Sequence, residues 1–151
     1  MKKITPLVFL LVLISCTNSL LNETVKDFPN QMWSKSDVKT FEFEAKKDFS
    51  AAAITVKFSH IFEPGYHSVP LKITISHPEG EQQTEQVELS LTDDSGKKLS
   101  DCGGDICDLE QIVLNNISLK KGTYTISIQH GAETDALPNV LALGLEVNPV
   151  K

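Results

Sequence analysis

Two cysteines close together in the chain are the residues whose type and spacing most directly suggest chemistry. Cys102 and Cys107 are separated by four residues, and Gly103 and Gly104 among them let the backbone fold back. Two thiols so placed can form a disulfide, stay free, or supply part of a metal site, but zinc needs two further ligands and none follows at matching spacing. In an exported protein the oxidising compartment favours the disulfide. A loop this short makes it worth about 1–2 kcal/mol.

The third cysteine, Cys16, ends the N-terminal segment. Two lysines after Met1 and eight uncharged apolar residues from 7 to 14 have the layout of a secretory signal. Eight apolar residues are too few to cross about 30 Å of hydrocarbon. The ending Leu13-Ile14-Ser15-Cys16 resembles the bacterial lipobox, in which the cysteine is acylated and becomes the new N-terminus. We therefore expect residues 1–15 to be a lipoprotein signal peptide and acylated Cys16 to bind the lipid bilayer. The alternative is an ordinary signal peptide with an incidental cysteine.

Acidic residues gather around the cysteine pair. Asp101, Asp105 and Asp108 carry the oxygen ligands that calcium prefers, although their spacing does not match an EF-hand loop. Aspartate is also common in β-turns. The sequence favours solvated turns over a calcium site, and we expect no metal and no cofactor.

The four histidines are scattered beside turns or predicted strand ends, at positions 60, 67, 77 and 130. No serine, cysteine or aspartate near them in the sequence marks a nucleophile paired with a proton acceptor, although a triad can assemble in space. We expect a protein that is not an enzyme.

Net charge limits the partners. Residues 16–151 carry 12 lysines, 20 acidic residues and no arginine, a formal charge of about −8. Nucleic-acid binding depends on neutralising phosphates and favours arginine as a base reader, so nucleic acid is excluded as a partner. The same charge argues against adsorption of the whole domain to an anionic membrane, so the lipid has to provide the anchor.

Most of the chain alternates apolar and polar residues with period two. Such alternation is typical of antiparallel strands with one buried face, and it occurs in six segments: residues 41–43, 54–58, 71–75, 87–91, 124–128 and 141–147. A seventh apolar segment, residues 112–119, is interrupted by Asn115 and Asn116, which predicts a bulge or an edge strand. Seven or eight strands predict an all-β fold, an antiparallel two-layer β-sandwich of jelly-roll or immunoglobulin-like type.

The predicted sandwich covers residues 38–151, and residues 16–37 are predicted to be a tether and an N-terminal docking segment. Trp33 in that segment either docks on the domain or serves as a handle for a partner, and we favour docking. The side chains predicted to face inward are those of Phe43, Val56, Phe58, Ile73, Leu89, Tyr124, Ile126, Leu143 and Leu145.

Several short motifs recur in a characteristic order from Trp33 onward. They are Phe41-Glu42-Phe43, the turn at Tyr66, His77-Pro78-Glu79-Gly80, residues 89–97 (LSLTDDSGK), Gly104-Asp105-Ile106, Gly122-Thr123-Tyr124-Thr125-Ile126, Gln129, and Leu143-Gly144-Leu145-Glu146-Val147. With the lipobox, this order resembles the gliding-motility lipoprotein family called GldH. The family tends to have arginine near Ser59 and a basic residue after Gln129, and this chain has neither. Enzymatic residues are not established in that family, so none is carried over.

The resemblance implies an envelope lipoprotein that serves as a structural or accessory component of gliding-motility or associated secretion machinery, with other envelope proteins of that machinery as partners. The alternative from another class is a carbohydrate- or peptidoglycan-binding sandwich lipoprotein. Surface-exported lipoproteins of related bacteria tend to carry an acidic run after the cysteine, whereas residues 17–21 are uncharged here. We therefore expect an outer-membrane lipoprotein that faces the periplasm.

Overall fold

The structure is a computed structural model that describes residues 18–150; Cys16 and the predicted signal peptide lie outside the described residues. It contains eleven strands: β1 (Leu21–Val25), β2 (Trp33–Ser34), β3 (Lys39–Ala45), β4 (Phe49–Ile61), β5 (Ser68–Ser76), β6 (Gln82–Ser90), β7 (Asp101–Gly103), β8 (Ile106–Leu119), β9 (Gly122–His130), β10 (Ala136–Leu137) and β11 (Val140–Pro149). One 3₁₀ turn spans Pro29–Gln31. In the described part of the chain, no helix is long and apolar enough to cross a bilayer.

The strands form two antiparallel sheets. The larger has the order β1-β11-β4-β8-β7 and the smaller β3-β9-β5-β6, while β2 pairs with β10 alone. The predicted all-β sandwich is confirmed. On one side of the sandwich, the Gln111 side chain on β8 accepts from the Ser90 amide at 3.0 Å and donates to the Glu88 carbonyl at 2.8 Å. This side chain thereby satisfies backbone groups at the open edge of β6.

The core lies between the two sheets, where each strand turns its apolar face inward. All nine side chains predicted to face inward are buried. Phe43 and Tyr124, on neighbouring strands, stack with ring centroids 5.1 Å apart. Leu141, which shares the period of its strand, is only partly buried, because the register of β11 against β4 shifts between Val140 and Ala142. This bulge turns Val140 inward in its place.

The N-terminal segment differs from the prediction in one respect. Sequence analysis placed Leu21–Val25 in the tether, but this segment is β1, paired with β11 from Leu21–Val147 to Val25–Leu143. The strand gave no sequence signal because it is short and lies at a sheet edge, so only Leu21 is fully buried. Trp33 is docked as predicted: its side chain is completely buried, and its indole N–H donates to the Asp37 carbonyl at 2.8 Å.

The predicted irregularity at residues 112–119 is confirmed. The register between β4 and β8 shifts between Ala52 and Ile54 and again between Ile54 and Thr55. Asn116 has a φ of 56°, in the left-handed region that asparagine tolerates better than most residues. The short strand β7 pairs with only three residues of β8. Over the rest of its length, β8 is the outer strand of its sheet.

The two ends of the sandwich are closed differently, and we name them by their connections. The turn end consists of the connections 46–48, 77–81 and 120–121. The loop end consists of the segments 26–38, 62–67, 91–105 and 131–139. Because β1 is antiparallel to β11, it runs from the turn end to the loop end. The chain therefore enters the domain at the turn end.

Candidate functional site

A cavity of about 480 Å³ opens at the loop end. Its walls come from β4 and the connection that follows it, from the segment between β6 and β7, and from the β7–β8 hairpin. The lining side chains that carry chemistry are those of His60, Glu63, Tyr66, His67, Lys98 and Ser100, together with the cysteine pair.

One wall of the cavity is the Cys102–Cys107 disulfide, which confirms the predicted pairing. The two cysteines are directly opposite each other on β7 and β8, with Cα atoms 4.0 Å apart. Gly104 in the intervening turn has a φ of 65°, a conformation that glycine adopts without cost. The disulfide therefore closes a tight hairpin, and its buried half, Cys107, faces the cavity.

His60 lies at the inner end of the cavity and is almost completely buried, at 4% exposure. Its Nδ1 donates to the Ile61 carbonyl at 2.7 Å, so in the neutral ring Nε2 accepts from the Ser100 hydroxyl at 2.9 Å. Burial lowers the pKa of His60, and the carbonyl of Ile61 and the charge of Asp108 oppose this only in part. His60 is therefore neutral at pH 7.

Sequence analysis missed this serine–imidazole pair because the two residues are 40 positions apart. In a catalytic triad, a carboxylate orients the imidazole and stabilises its protonated form. Here the uncharged Ile61 carbonyl occupies that place, and the carboxylate of Asp108, whose charge acts on His60, accepts a hydrogen bond from Ser59 instead. The pair is thus suited to tying the segment 91–105 to β4.

The outer rim of the cavity is held by the connection after β4. Its Glu63-Pro64-Gly65-Tyr66 turn has Gly65 at a φ of 97°, as a type II turn requires. The Tyr66 hydroxyl donates to the Pro138 carbonyl at 3.0 Å, and burial raises the pKa of this tyrosine far above its usual range. Lys98 extends over the rim, with its Nζ 3.2 Å from the centre of the Phe62 ring and 3.8 Å from the Glu63 carboxylate.

The aspartates proposed as calcium ligands do not assemble into a site. Asp101 and Asp108 lie opposite each other on β7 and β8, and Asp105 lies in the turn between them; all three are exposed. Among residues 18–150, no group of three or more histidine, cysteine, aspartate or glutamate side chains is placed to hold a metal ion. These residues occupy solvated turn and strand positions.

The other histidines are dispersed. His67 lines the cavity, whereas His77 packs against Tyr124 at the turn end. His130 points into the core at the loop end, 1% exposed, with its ring 5.3 Å from that of Trp33. Neither ring nitrogen of His130 has a hydrogen-bond partner. Burial lowers the pKa of His130, and the nearby Trp33 backbone opposes this only in part.

The surface around the cavity differs from the rest of the domain in two ways. Of the seven exposed large apolar side chains in residues 18–150, four lie in the loop-end segments, namely Met32, Val38, Phe62 and Leu99, and a fifth, Ile106, begins β8 directly after the segment 91–105. The loop-end segments also carry nine carboxylates and four lysines, whereas the turn-end connections carry three carboxylates and four lysines. Exposed apolar side chains and an excess of carboxylates therefore concentrate toward the loop end.

The outer faces of the two sheets are polar. On the smaller sheet, hydroxyls face each other across strands, as in the pair Thr74–Thr84. On the larger sheet, Lys57 contacts Glu146 at 2.6 Å and Glu110 at 3.8 Å. Within the described residues, Phe62 is the one aromatic among the exposed large apolar side chains, and it lies at the loop end rather than on a sheet face.

Comparison with solved structures gives no basis for an argument about fold or function. The structure of the infectious bursal disease virus Gx strain matches at 11% identity over 87% of this chain and 42% of that chain, with a TM-score of 0.18. The chain thus spans less than half of the length of the viral protein, and so low a score carries no argument about fold or function. No curated protein matches the chain.

Comparison with family models is informative. The model of the GldH lipoprotein family matches residues 21–147, which include all the strands of the sandwich from β1 to most of β11. The match begins at β1, so the family unit includes the edge strand that sequence analysis assigned to the tether. The chain belongs to the GldH lipoprotein family.

Proposed function

We propose that this chain is an envelope lipoprotein that acts as a non-enzymatic accessory component of gliding-motility or associated secretion machinery. Acyl chains on Cys16 hold it on the outer membrane with the domain in the periplasm. Its loop end docks a protein partner that presents a basic surface. Family membership supports the assignment to an envelope lipoprotein, and the chemistry of the loop end supports the docking role.

The observation that carries the docking role is the concentration of exposed apolar side chains at one end. Leu99 and Ile106 are 48% and 52% exposed, and each is next in the chain to a residue that lines the cavity, Leu99 to Ser100 and Ile106 to Cys107. Apolar residues within a polar rim are typical of protein–protein interfaces. The rigid hairpin presents Ile106 at little entropic cost on binding.

The charge of the loop end selects the kind of partner. Nine carboxylates against four lysines attract a basic protein surface and repel an acidic one. Exposed carboxylates act mainly on the association rate, so we expect binding to weaken as ionic strength rises.

A glycan or peptidoglycan ligand is the alternative, and the cavity with Tyr66, His67 and Glu63 is the observation that favours it. Sugar sites usually stack an exposed aromatic ring on the ligand. The outer sheet faces of the described residues offer no such exposed ring, and one face of the Phe62 ring is occupied by the Lys98 ammonium group. We therefore rank the protein partner first.

The absence of enzymatic activity is also a proposal. The Ser100–His60 pair makes ester or amide hydrolysis the activity to assay first. We expect no hydrolysis above that of the Ser100→Ala variant. Turnover that disappears in this variant, while the folded state persists by circular dichroism, would show that the chain is an enzyme.

The docking role is tested by capture from solubilised envelopes with acylated, tagged protein. We expect the L99S/I106T variant to lose a partner that wild type retains, and high salt to release that partner. Ile112 is an equally exposed apolar residue on an outer sheet face, so I112T is the matched control and should behave as wild type. Loss in both variants, or binding of a glycan array without any protein partner, would contradict the proposal.

The location is tested separately. Mass spectrometry should find acyl chains on Cys16, and Cys16→Ala should abolish them. Protease added to intact cells should leave the domain uncut. Cleavage there would place it on the cell surface and contradict the periplasmic orientation.

A further inference from the structure

We infer that the turn end is a membrane-contact surface: Lys46, Lys47, Lys120 and Lys121 lie against anionic lipid headgroups, so that the sandwich stands upright with its loop end directed away from the membrane. This inference depends on acylation of Cys16 but not on the identity of the docking partner.

The first argument is the length of the connection to the lipid. Cys16 precedes the first described residue, Asn18, by two positions, which span at most about 7 Å of chain. The chain is already tied to the sheet at Leu20, whose N–H donates to the Val147 carbonyl at 2.8 Å. An acylated Cys16 therefore has little freedom to carry the domain away from the bilayer.

The second argument is direction. From Leu21 the chain runs along β11 toward the loop end, so residues before it point to the turn end. β11 ends nearby, and Val150 N–H donates to the Ala51 carbonyl at the start of β4. The connection 46–48 precedes β4 directly, so the lysines of that connection lie beside the point of attachment.

The third argument is charge. Lys121 N–H donates to the Asp48 carboxylate at 2.8 Å, and Lys120 Nζ lies 3.4 Å from it, so the two lysine-bearing connections form one surface. Lys46 and Lys121 are exposed and make no ion pair within the described residues. Each lysine near an anionic membrane strengthens binding by roughly fivefold.

The remaining surface offers no better contact. The loop end carries more than twice as many carboxylates as lysines, and Lys57 on the larger sheet is surrounded by Glu146 and Glu110. The turn end also carries Glu79 and Glu81, but both belong to the β5–β6 connection, and β6 is the far edge strand of its sheet. Although the whole domain is acidic, its lysines outnumber its carboxylates at the attachment end.

The test is lysine footprinting. Acylated protein is inserted into phosphatidylcholine vesicles that contain phosphatidylglycerol, treated briefly with an amine-acetylating reagent, and compared by mass spectrometry with unacylated protein beside the same vesicles. We expect acylation to slow labelling of the four turn-end lysines at least about threefold. Lys26 and Lys97 at the loop end, both exposed, should label equally in the two samples.

Charge reversal separates the membrane contact from simple crowding near the bilayer. In K46E/K121E the remaining turn-end lysines, Lys47 and Lys120, should lose their protection, whereas the matched control K26E/K97E should keep it. Equal labelling of both ends in wild type would overturn the inference. Protection of Lys72 on the smaller sheet would also overturn it, because that result would show that the domain lies on that face. Neither result would bear on partner binding at the loop end.

Discussion

The turn end is closed by three connections of two to five residues, whereas the loop end is closed by four segments of six to fifteen residues. At the first end, the 77–81 turn is held by its own backbone, as where Gly80 N–H donates to the His77 carbonyl at 3.0 Å, and the Asp48 carboxylate joins the other two connections. Side chains hold the segments at the second end to the sheet, as in the His60–Ser100 contact, and to one another, as in the Tyr66–Pro138 contact.

This difference suggests that the two ends of the sandwich have different roles. Short turns cost little entropy and leave little surface that can vary, which suits an end placed against a membrane. Long segments on a rigid scaffold are where binding surfaces commonly arise. In this sandwich they need a buried tryptophan, a disulfide and a buried histidine to fix them.

The largest expected effect comes from removing the tryptophan that packs beneath the loop end. Trp33→Ala should cost about 4 kcal/mol in unfolding free energy, because the side chain is completely buried. Hydrogen exchange should accelerate in residues 26–38 and not in residues 46–48. Trp33→Phe, which keeps a ring but loses the hydrogen bond to Asp37, should cost less. Equal acceleration at both ends would show that the two are not independent.

Much of the turn end could be predicted from the sequence because its determinants are local. His77-Pro78-Glu79-Gly80 has proline and glycine at the positions where a type I turn favours them, and the alternation of Tyr124 and Ile126 indicated the strand after Lys121. The hydrophobic core followed from the same period of two.

The loop end could be predicted only in part. The disulfide followed from the cysteine spacing together with the oxidising compartment that an exported protein enters, and the docking of Trp33 followed from its size. The Ser100–His60 contact joins residues far apart in the chain, so no local pattern marks it. Strand β1 was not predicted, because an edge strand with a single fully buried residue shows no alternation of apolar and polar residues.

A glycine substitution at each end tests how tightly the two are packed. Gly122 at the turn end has a φ of 141°, and a Cβ there would lie 2.5 Å from Pro78 Cβ. Gly122→Ala should therefore cost about 3 kcal/mol through strain and collision. Gly96 at the loop end has a φ of 81° with nothing within 4 Å, so Gly96→Ala should cost only about 1 kcal/mol. Urea unfolding measures the loss of unfolding free energy in both variants. Equal losses would contradict tighter packing at the turn end.

Reduction of the Cys102–Cys107 disulfide should weaken the loop end by about 1–2 kcal/mol, because it closes a short loop. Thiol titration of denatured, unacylated protein should find one reactive thiol, that of Cys16, before reduction and three after it. Three thiols before reduction would contradict the disulfide.

The smallest expected effect is pH dependence confined to the loop end. Burial lowers the pKa of both His60 and His130 from 6.5, so the unfolded chain binds protons first as pH falls. Stability should be constant above about pH 7 and decrease below about 6.5. The turn-end carboxylate of Asp48, whose pKa is lowered by hydrogen bonds from the Lys121 backbone and the Lys120 side chain, titrates only in far more acidic solution.

His130→Leu checks the pH dependence without removing a hydrogen bond, because neither ring nitrogen has a partner. The variant should lose less stability than wild type between pH 7.5 and 5.5, as measured by urea unfolding. A parallel loss in both proteins would mean that His130 does not contribute.

Photo-crosslinking in intact cells tests the central claim that the two ends have different partners. A photoreactive residue is placed at Leu99 on the loop end, at Val150 on the turn end, or at Ile112 on the outer sheet face; all three side chains are exposed in wild type. The account predicts protein adducts from position 99, few protein adducts from position 150, which faces lipid, and none of comparable yield from position 112. Protein adducts that form equally from all three positions, or mainly from position 150, would contradict it.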